Sequence, residues 1–512
     1  SATYGKSKKD DYTVTPGLST TLPYLTGTTL QDPAITGGTP IRNGVPTSTI
    51  TSPDAGSKTH GLRVDLEYQL ADHHLAVGID NQTYAAHNEG QAMGGPGYRW
   101  TYARSQSPTS PIDSNLGVGA PGGNGYYVQK YIFSTTTSMS VKQKAFYLED
   151  RWQVSNNVLL SLGLRNDHFT NYNNAGKPYV DQQNQWAPRL GASWDVFGDS
   201  ALKIYGNLGR YFLALPNSVA IRGASASTFT REYFTYTGID PTTGAPTGLT
   251  ALGPGPVSSN GEYGIAPDNK TFAPTDLKSQ YQDEAILGFD KTLGSQWTTG
   301  AKVTYRKLQT AIDDVCDGGK IADKLTAQGI DTSTLNIHSC YIFNPGRTNT
   351  FLLNDSNGGY QSVTMSQSDW GFNQGAKRKY YALDMYLEHP FDGKWQARVD
   401  YTFSRSWGNT EGQVRSDLEQ NDVSKTEDWD AAELMIGSGG LLSNNRRHQL
   451  KFYGSYQITP EWLVSGAARI QSGTPKTCLA YFGPEQSDPI SYGGDYHFCF
   501  GKVGGPGEAG NT

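Results

Sequence analysis

An all-β fold, an antiparallel transmembrane β-barrel with long external loops, is the class this sequence predicts. Three observations predict it. Apolar and polar residues alternate with period two along paired segments. The connections are short at one end of these pairs and long at the other. A tryptophan follows directly after three of the short turns. Period-two alternation marks a strand lying between two unlike environments.

The bulk composition is compatible with that class. The chain has 512 residues, 36% of them hydrophobic, and a mean hydropathy of -0.55, which leaves little for a large water-excluded core. No run of about 18 apolar residues offers a transmembrane helix. Tyr, at 31 against 18 Phe, pairs an apolar ring with a wet hydroxyl and suits a boundary between two media. Net charge is -6 without a basic tract, so nucleic acid is not an expected partner. The opening SATYGKSKKD has neither an initiator Met nor a signal peptide's apolar stretch, as expected of a processed or truncated product.

Residues 1–60 show no clear unit, only loop and strand-like pieces. From Gly61 one unit recurs six times: a strand, a turn of two to four residues, a second strand, then a long polar loop. The turns are Ala71-Asp72-His73, Ser155-Asn156-Asn157, Gly198-Asp199-Ser200, Gly294-Ser295-Gln296, Asp392-Gly393-Lys394 and Thr459-Pro460-Glu461. These residue types reverse a chain at low cost. The long connections run through Asn81 to Gly125, Phe212 to Gln280, Asp314 to Arg378 and Gly408 to Asn445. Such sorting is expected of an outer-membrane barrel, with short periplasmic turns and long external loops. Tyr127 to Thr136 also reads as a strand, but an even number of crossings must separate its flanking hairpins. It is expected above the membrane, extending the external part of the sheet. The strands should occupy residues 61–473 and residues 474–512 a further external loop.

Face assignments follow from parity. Val158, Leu160, Leu162 and Leu164 share one face, while Ser161, Gly163, Arg165 and Asp167 share the other. Trp297, Trp395 and Trp462 each open an apolar face just after a turn, as an aromatic girdle at the membrane interface would. The opposite face carries Arg165, Lys203, Lys302, Arg306, Asp384, Arg398, Asp400 and Arg469, expected to line a wet lumen and guide a substrate or hydrogen-bond an interior domain. Asp150 breaks the pattern by falling with Leu148 and Trp152. A soluble barrel or sandwich would alternate in the same way, but it has no reason to sort its loops or repeat Trp after turns.

YLEDRWQVSNNVLLSLGLRND, WAPRLGASWDVFGDSALKIYGNLGRYF and YQDEAILGFDKTLGSQWTTGAKVTYRKLQTAIDD resemble barrel segments of TonB-dependent outer-membrane receptors. RKYYALDMYLEHPFDGKWQARVDYTFSRSWGNTEG and LLSNNRRHQLKFYGSYQITPEWLVSGAARIQSGTP resemble the Oar-like branch of that family, and the likeness runs from Gly61 to Pro475. It implies a 22-stranded barrel, a plug domain inside it, and an N-terminal box that contacts TonB. The six hairpins supply about half of such a barrel. Nothing before Gly61 resembles a plug, and GEAGNT closes the chain without a terminal strand. The parent protein is therefore expected to continue past both ends, with TonB contacted through a segment missing here.

Chemical motifs are few. Gly198-Asp199-Ser200 superficially matches a lipase motif but sits at a hairpin corner, with no His or Asp spaced to complete a triad. His73 and His74 are neighbours on a strand and point to opposite faces, so they cannot chelate one ion. His448 reads as a rim residue. The acidic stretch Thr410 to Glu433 lacks the spaced register of a dedicated Ca²⁺ loop and reads as solvated. No catalytic residue, metal site or cofactor is expected. Cys316 and Cys340 share one external loop, and Cys478 and Cys499 share the last one, so pairing within each loop is expected, in an oxidising compartment. The expected function is TonB-powered transport or reception of an unidentified external ligand in the outer-membrane lipid of a Gram-negative cell. A surface adhesin or assembly barrel, and a secreted soluble β-protein, are the alternatives.

Overall fold

A computed structural model describes residues 1–10, 19, 21–45, 49–52, 54–217, 225–259, 261–412, 414–420, 426–482, 490, 494–499 and 502–503. Thirteen of its strands run along one antiparallel sheet in which each pairs with its neighbours in order, and the short strand Gly440–Leu441 pairs off that path with Trp407 and Gly408. The thirteen are β1 (Ala2–Asp10), β2 (Gly56–Leu70), β3 (His73–Glu89), β4 (Thr137–Ser155), β5 (Val158–Tyr172), β6 (Pro178–Asp195) and β7 (Leu202–Leu213). β8 (Gln280–Leu293), β9 (Trp297–Thr310), β10 (Arg378–His389), β11 (Trp395–Gly408), β12 (His448–Thr459) and β13 (Trp462–Gln471) complete it. All six expected hairpins are present, from β2–β3 to β12–β13. Among the described residues β1 and β13 do not pair with each other, so the sheet is open along these two strands.

The turns work as their residues dictate. At Asp392-Gly393-Lys394 the Asp392 carboxylate accepts from the N–H groups of Lys394 (2.8 Å) and Trp395 (3.0 Å), and Gly393 takes φ +95°. Only glycine adopts that conformation without strain. At the β6–β7 corner Asp195 accepts from the N–H of Gly198 (3.1 Å) and of Ser200 (2.9 Å), which makes Gly198-Asp199-Ser200 a structural corner.

Register sorts the side chains into two continuous faces. Leu162 stands opposite Leu190 and Leu190 opposite Leu208. Val303 lies between Leu287 and Leu383, and Val399 between Leu387 and Phe452. Nothing among the described residues covers this face: Leu66, Leu287, Val303 and Val464 are 67%, 64%, 53% and 54% exposed. Apolar side chains in that number are left uncovered by protein only where lipid replaces water.

Asp150, the one acid in the apolar row of β4, is explained by a neighbour. Its carboxylate meets His73 Nδ1 at 2.7 Å, and the His73 ring stacks on Trp152 at 5.1 Å. His74 turns to the other face, toward Gln69 and Glu67. The two histidines thus lie on opposite faces, as strand geometry requires.

Four expectations are corrected. β1 was not separable in sequence, because after Ala2 and Tyr4 its turn on the apolar face falls to Lys6 and Lys8 and the alternation fades. The Tyr127 to Thr136 segment does lie off the barrel strands, but Tyr126–Ser134 does not extend their sheet. It pairs with Arg99–Arg104 and Thr228–Thr235 in a separate external sheet. Third, the long loops are not merely polar: they build the largest water-excluded core among the described residues. Ile321 and Leu325 of the helix Gly318–Ala327 pack there with Tyr341, Phe343, Phe351, Trp370 and Trp429. Lastly, the acidic stretch Thr410 to Glu433 is not a solvated loop, because Trp429 is fully buried and Thr410, Arg415 and Asp430 nearly so. Residues 413 and 421–425 of it lie outside the described set.

A disulfide joins Cys316 to Cys340 across a sequence separation of 24, beside the pairing of Asp313–Val315 with Tyr341–Phe343. Cys478 is also disulfide-bonded. The Cys499 side chain, its expected partner, lies outside the described residues. Closing a ring of this length is worth about 3 kcal/mol in the chain-entropy model. Replacing both Cys316 and Cys340 by Ser is expected to remove about that much from the external cap. Hydrogen exchange of Tyr341–Phe343 reads it directly, and unchanged protection there contradicts the assignment.

Candidate functional site

The candidate site is the polar face of the sheet. Arg165, Lys203, Lys302, Arg306, Asp384, Arg398, Asp400 and Arg469 stand on six different strands, and register places all eight on that face. They are not independent charges. Arg165 donates through Nε to Asp167 (2.9 Å) and through both terminal nitrogens to Asp80 (3.1 Å), linking β5 to β3 across β4. Lys203 pairs with Asp290 at 2.8 Å, and Arg306 pairs with Glu284. Arg398 bridges Glu388 (2.8 Å) and Asp400 (2.9 Å). Lys302 and Asp384 sit 3.8 Å apart, and Asp384 also accepts from Thr402 at 2.6 Å. Arg469 donates to Gln449 at 2.9 Å.

Sequence reasoning named one half of this network and missed the other. Asp80, Glu284, Asp290 and Glu388 are the carboxylates that the named cations meet. Each shares the parity of its neighbouring lysine or arginine once the short turn fixes the register, so the signal was present but only in pairs of strands.

Tyrosine and glycine carry a second pattern that no single strand reveals. Tyr147 stands opposite Gly78, Tyr205 opposite Gly288, and Tyr386 opposite Gly300. A Cβ on any of these glycines would lie 2.4 to 2.7 Å from the facing tyrosine ring or hydroxyl. The rings therefore lie down over bare backbone and shield it, as aromatic residues do over strand glycines. Tyr386 then donates to Asp290 at 3.0 Å and underlies Arg398 at 4.3 Å. Part of the high Tyr and Gly content thus belongs to this face, not to a boundary with lipid.

Aromatic side chains gather at the short-turn end of the apolar face. His389 stacks on Trp395 at 3.9 Å, and Trp297 packs edge-on against both, at 5.0 and 5.8 Å. Trp462, on β13, is 69% exposed. At the far end His448 meets the Tyr401 hydroxyl at 2.7 Å beside Phe403.

Hollows of about 430, 370 and 470 Å³ open along the polar face. A larger one of about 1000 Å³ lies in the external cap beside the Cys316–Cys340 disulfide, and Asp268, Asp314, Asp317 and Asp430 line it. Among the described residues the one group with metal-ligand spacing is Asp314, Cys316 and Cys340, and both sulfurs are consumed by the disulfide. In the cap, burial pushes Asp428 up to about 6 against the opposing pull of Arg415, and burial lowers His497 to about 4.

An exposed apolar face backed by a charged, hollowed one across a sequential antiparallel meander defines an outer-membrane β-barrel. Residues 171–481 match the outer membrane beta barrel domain, and residues 2–223 match the TonB dependent receptor-like beta-barrel. The chain belongs to the outer membrane beta barrel domain family of the Gram-negative outer membrane, and over residues 2–223 it is similar to TonB-dependent receptors. It is 26% identical over 402 residues to the TonB-dependent transporter Oar of Myxococcus xanthus, a match covering 72% of this chain and 34% of that protein. The chain thus spans about a third of the length of that relative. Among solved structures, the outer membrane transporter YddB from Escherichia coli aligns with TM-score 0.41 and 13% identity, over 87% of this chain and 55% of that one. The siderophore receptor PirA from Acinetobacter baumannii aligns with TM-score 0.38 and 12% identity, over 82% and 44%.

The Arg165 triad gives a direct test of the polar face. Arg165→Met leaves Asp80 and Asp167 facing each other, and is expected to cost about 3 kcal/mol in urea unfolding of the full-length protein in lipid vesicles. Adding Asp80→Asn and Asp167→Asn should restore most of that. A single variant as stable as the parent contradicts the network.

Proposed function

We propose that this chain is the barrel wall of a TonB-dependent transporter that carries an external ligand inward past its polar face. The observation that carries the reading is the polar face itself. It presents fixed, mutually paired charges and open hollows, while the opposite face is apolar and uncovered. On this reading the apolar face meets outer-membrane lipid, with Trp297, Trp395 and Trp462 at the short-turn interface. Arg165, Lys203, Lys302, Arg306, Asp384, Arg398, Asp400 and Arg469 line the lumen, where they hydrogen-bond an interior plug and the passing ligand. Strands β1 to β13 form the wall, and the described residues that follow β13 belong to the external side. Among the described residues β1 and β13 each leave one edge of backbone unpaired, which lipid cannot satisfy, so on this reading further strands close the ring.

Selection falls to the external cap, passage to the lumen, and energy comes from the inner membrane through TonB. An adhesin or assembly barrel would share the lipid face but would not depend on TonB.

Depletion of solutes from the growth medium tests this. A solute consumed by wild-type cells should persist both when the gene for this protein is deleted and when TonB is deleted. A solute that requires this protein and yet disappears normally without TonB contradicts active transport.

A further inference from the structure

Where the polar face meets the external cap, the hollow of about 430 Å³ opens between β8, β9, β10, β11 and the segment entering β12. Arg306, Arg378 and Arg446 line it together with Gln282, Asn444 and Gln449. No carboxylate among the described residues lines it.

Each guanidinium is held at one edge. Arg306 pairs with Glu284 and lies over the Tyr380 ring at 5.5 Å. Arg378 donates to the Glu411 carbonyl, and Arg446 to the Ser472 carbonyl at 3.0 Å. A carbonyl orients a guanidinium without neutralising it. The Glu411 carboxylate acts on Arg378 only at longer range, and it accepts from the Ser416 N–H at 2.8 Å. Among the described residues Arg378 and Arg446 form no ion pair within 4 Å. Two half-buried cations thus converge on one hollow without an ion-pair partner within 4 Å among the described residues.

Cations taken partly out of water without a partner are costly to keep. An oxyanion would supply the missing charge. The planar fork of arginine, with five N–H donors, fits carboxylate and phosphate oxygens in pairs. Anchoring at one edge leaves donors on each side chain free for such a guest, and preorganisation of this kind lowers the entropy of binding. The volume is that of a small-molecule site.

We propose that this hollow binds a small polyanion, a molecule bearing two or more carboxylate or phosphate groups, at the external mouth of the passage. The proposal rests on the reading of the polar face as lumen wall, which places the hollow out of reach of lipid phosphates. It adds to that reading the charge and size of the guest.

Calorimetric titration of the purified full-length protein in detergent tests it, with tricarballylate and pyrophosphate as probes and glycerol as the neutral control. At least one anion should bind saturably, and added salt should weaken it. Arg378→Gln combined with Arg446→Gln should weaken binding about tenfold or more. Arg378→Lys with Arg446→Lys keeps the charge, removes the fork, and should fall between. Arg405→Gln, on β11 but on the opposite face, should leave binding unchanged. Heat-modifiable migration on gels verifies that each variant is folded. Tricarballylate binding alone marks a carboxylate site, pyrophosphate alone a phosphate site, and either supports the proposal. No saturable binding of either probe, or binding indifferent to the double Gln variant, overturns it. The assay needs neither TonB nor transport, so its failure and a failure of the transport reading are separate results.

Discussion

A backbone N–H or C=O that enters hydrocarbon has no water to bond, and the rest of this structure depends on that fact. An antiparallel meander satisfies each strand through its two neighbours, and here it does so from β2 through β12 without interruption. Once the backbone is satisfied sideways, every side chain must point to one of two faces. Parity then dictates which residues each face receives. The six short turns hold the register, and a slip of one residue would carry every leucine inward and every arginine outward.

The two faces follow different physics. On the apolar face each row is a ladder of Leu, Val, Phe and Met whose partner is outside the chain. The histidine beside Asp150 shows how a misplaced charge is tolerated there. On the polar face, charges are coupled between strands as Arg165 couples Asp80 to Asp167, and tyrosines lie over glycines. Above both, the loops fold against one another into a cap with its own aromatic core and disulfide. The cap can therefore be ordered independently of lipid, and its acid-lined hollow contrasts with the arginine-lined one beneath it.

What the sequence disclosed is what a single strand can carry. Alternation, turn residues and the Trp after Gly294-Ser295-Gln296, Asp392-Gly393-Lys394 and Thr459-Pro460-Glu461 were enough to find twelve of the thirteen sheet strands. β1 escaped because Lys6 and Lys8 break its apolar row. The cap core escaped because Val315, Tyr341, Phe351 and Trp370 are scattered over loops that are polar on average, and only tertiary folding gathers them. The eight polar residues were legible individually. Their partners were not, because Asp290 becomes meaningful only when Lys203 and Tyr386 arrive from two other strands. The arginine hollow needed Arg446 from a loop beside Arg378 from a strand, a juxtaposition no periodicity contains.

The central claim is that one face of this sheet meets lipid and the other meets water. Nitroxide side chains placed one at a time along Trp297–Thr310, in the full-length protein reconstituted into vesicles, measure this most directly. Collision rates with oxygen should peak at Ala301, Val303 and Tyr305, and those with a water-soluble nickel chelate at Lys302 and Arg306. The two profiles should alternate with period two and in antiphase. Profiles that rise and fall together, or that place the nickel maxima on Val303 and Tyr305, contradict the account.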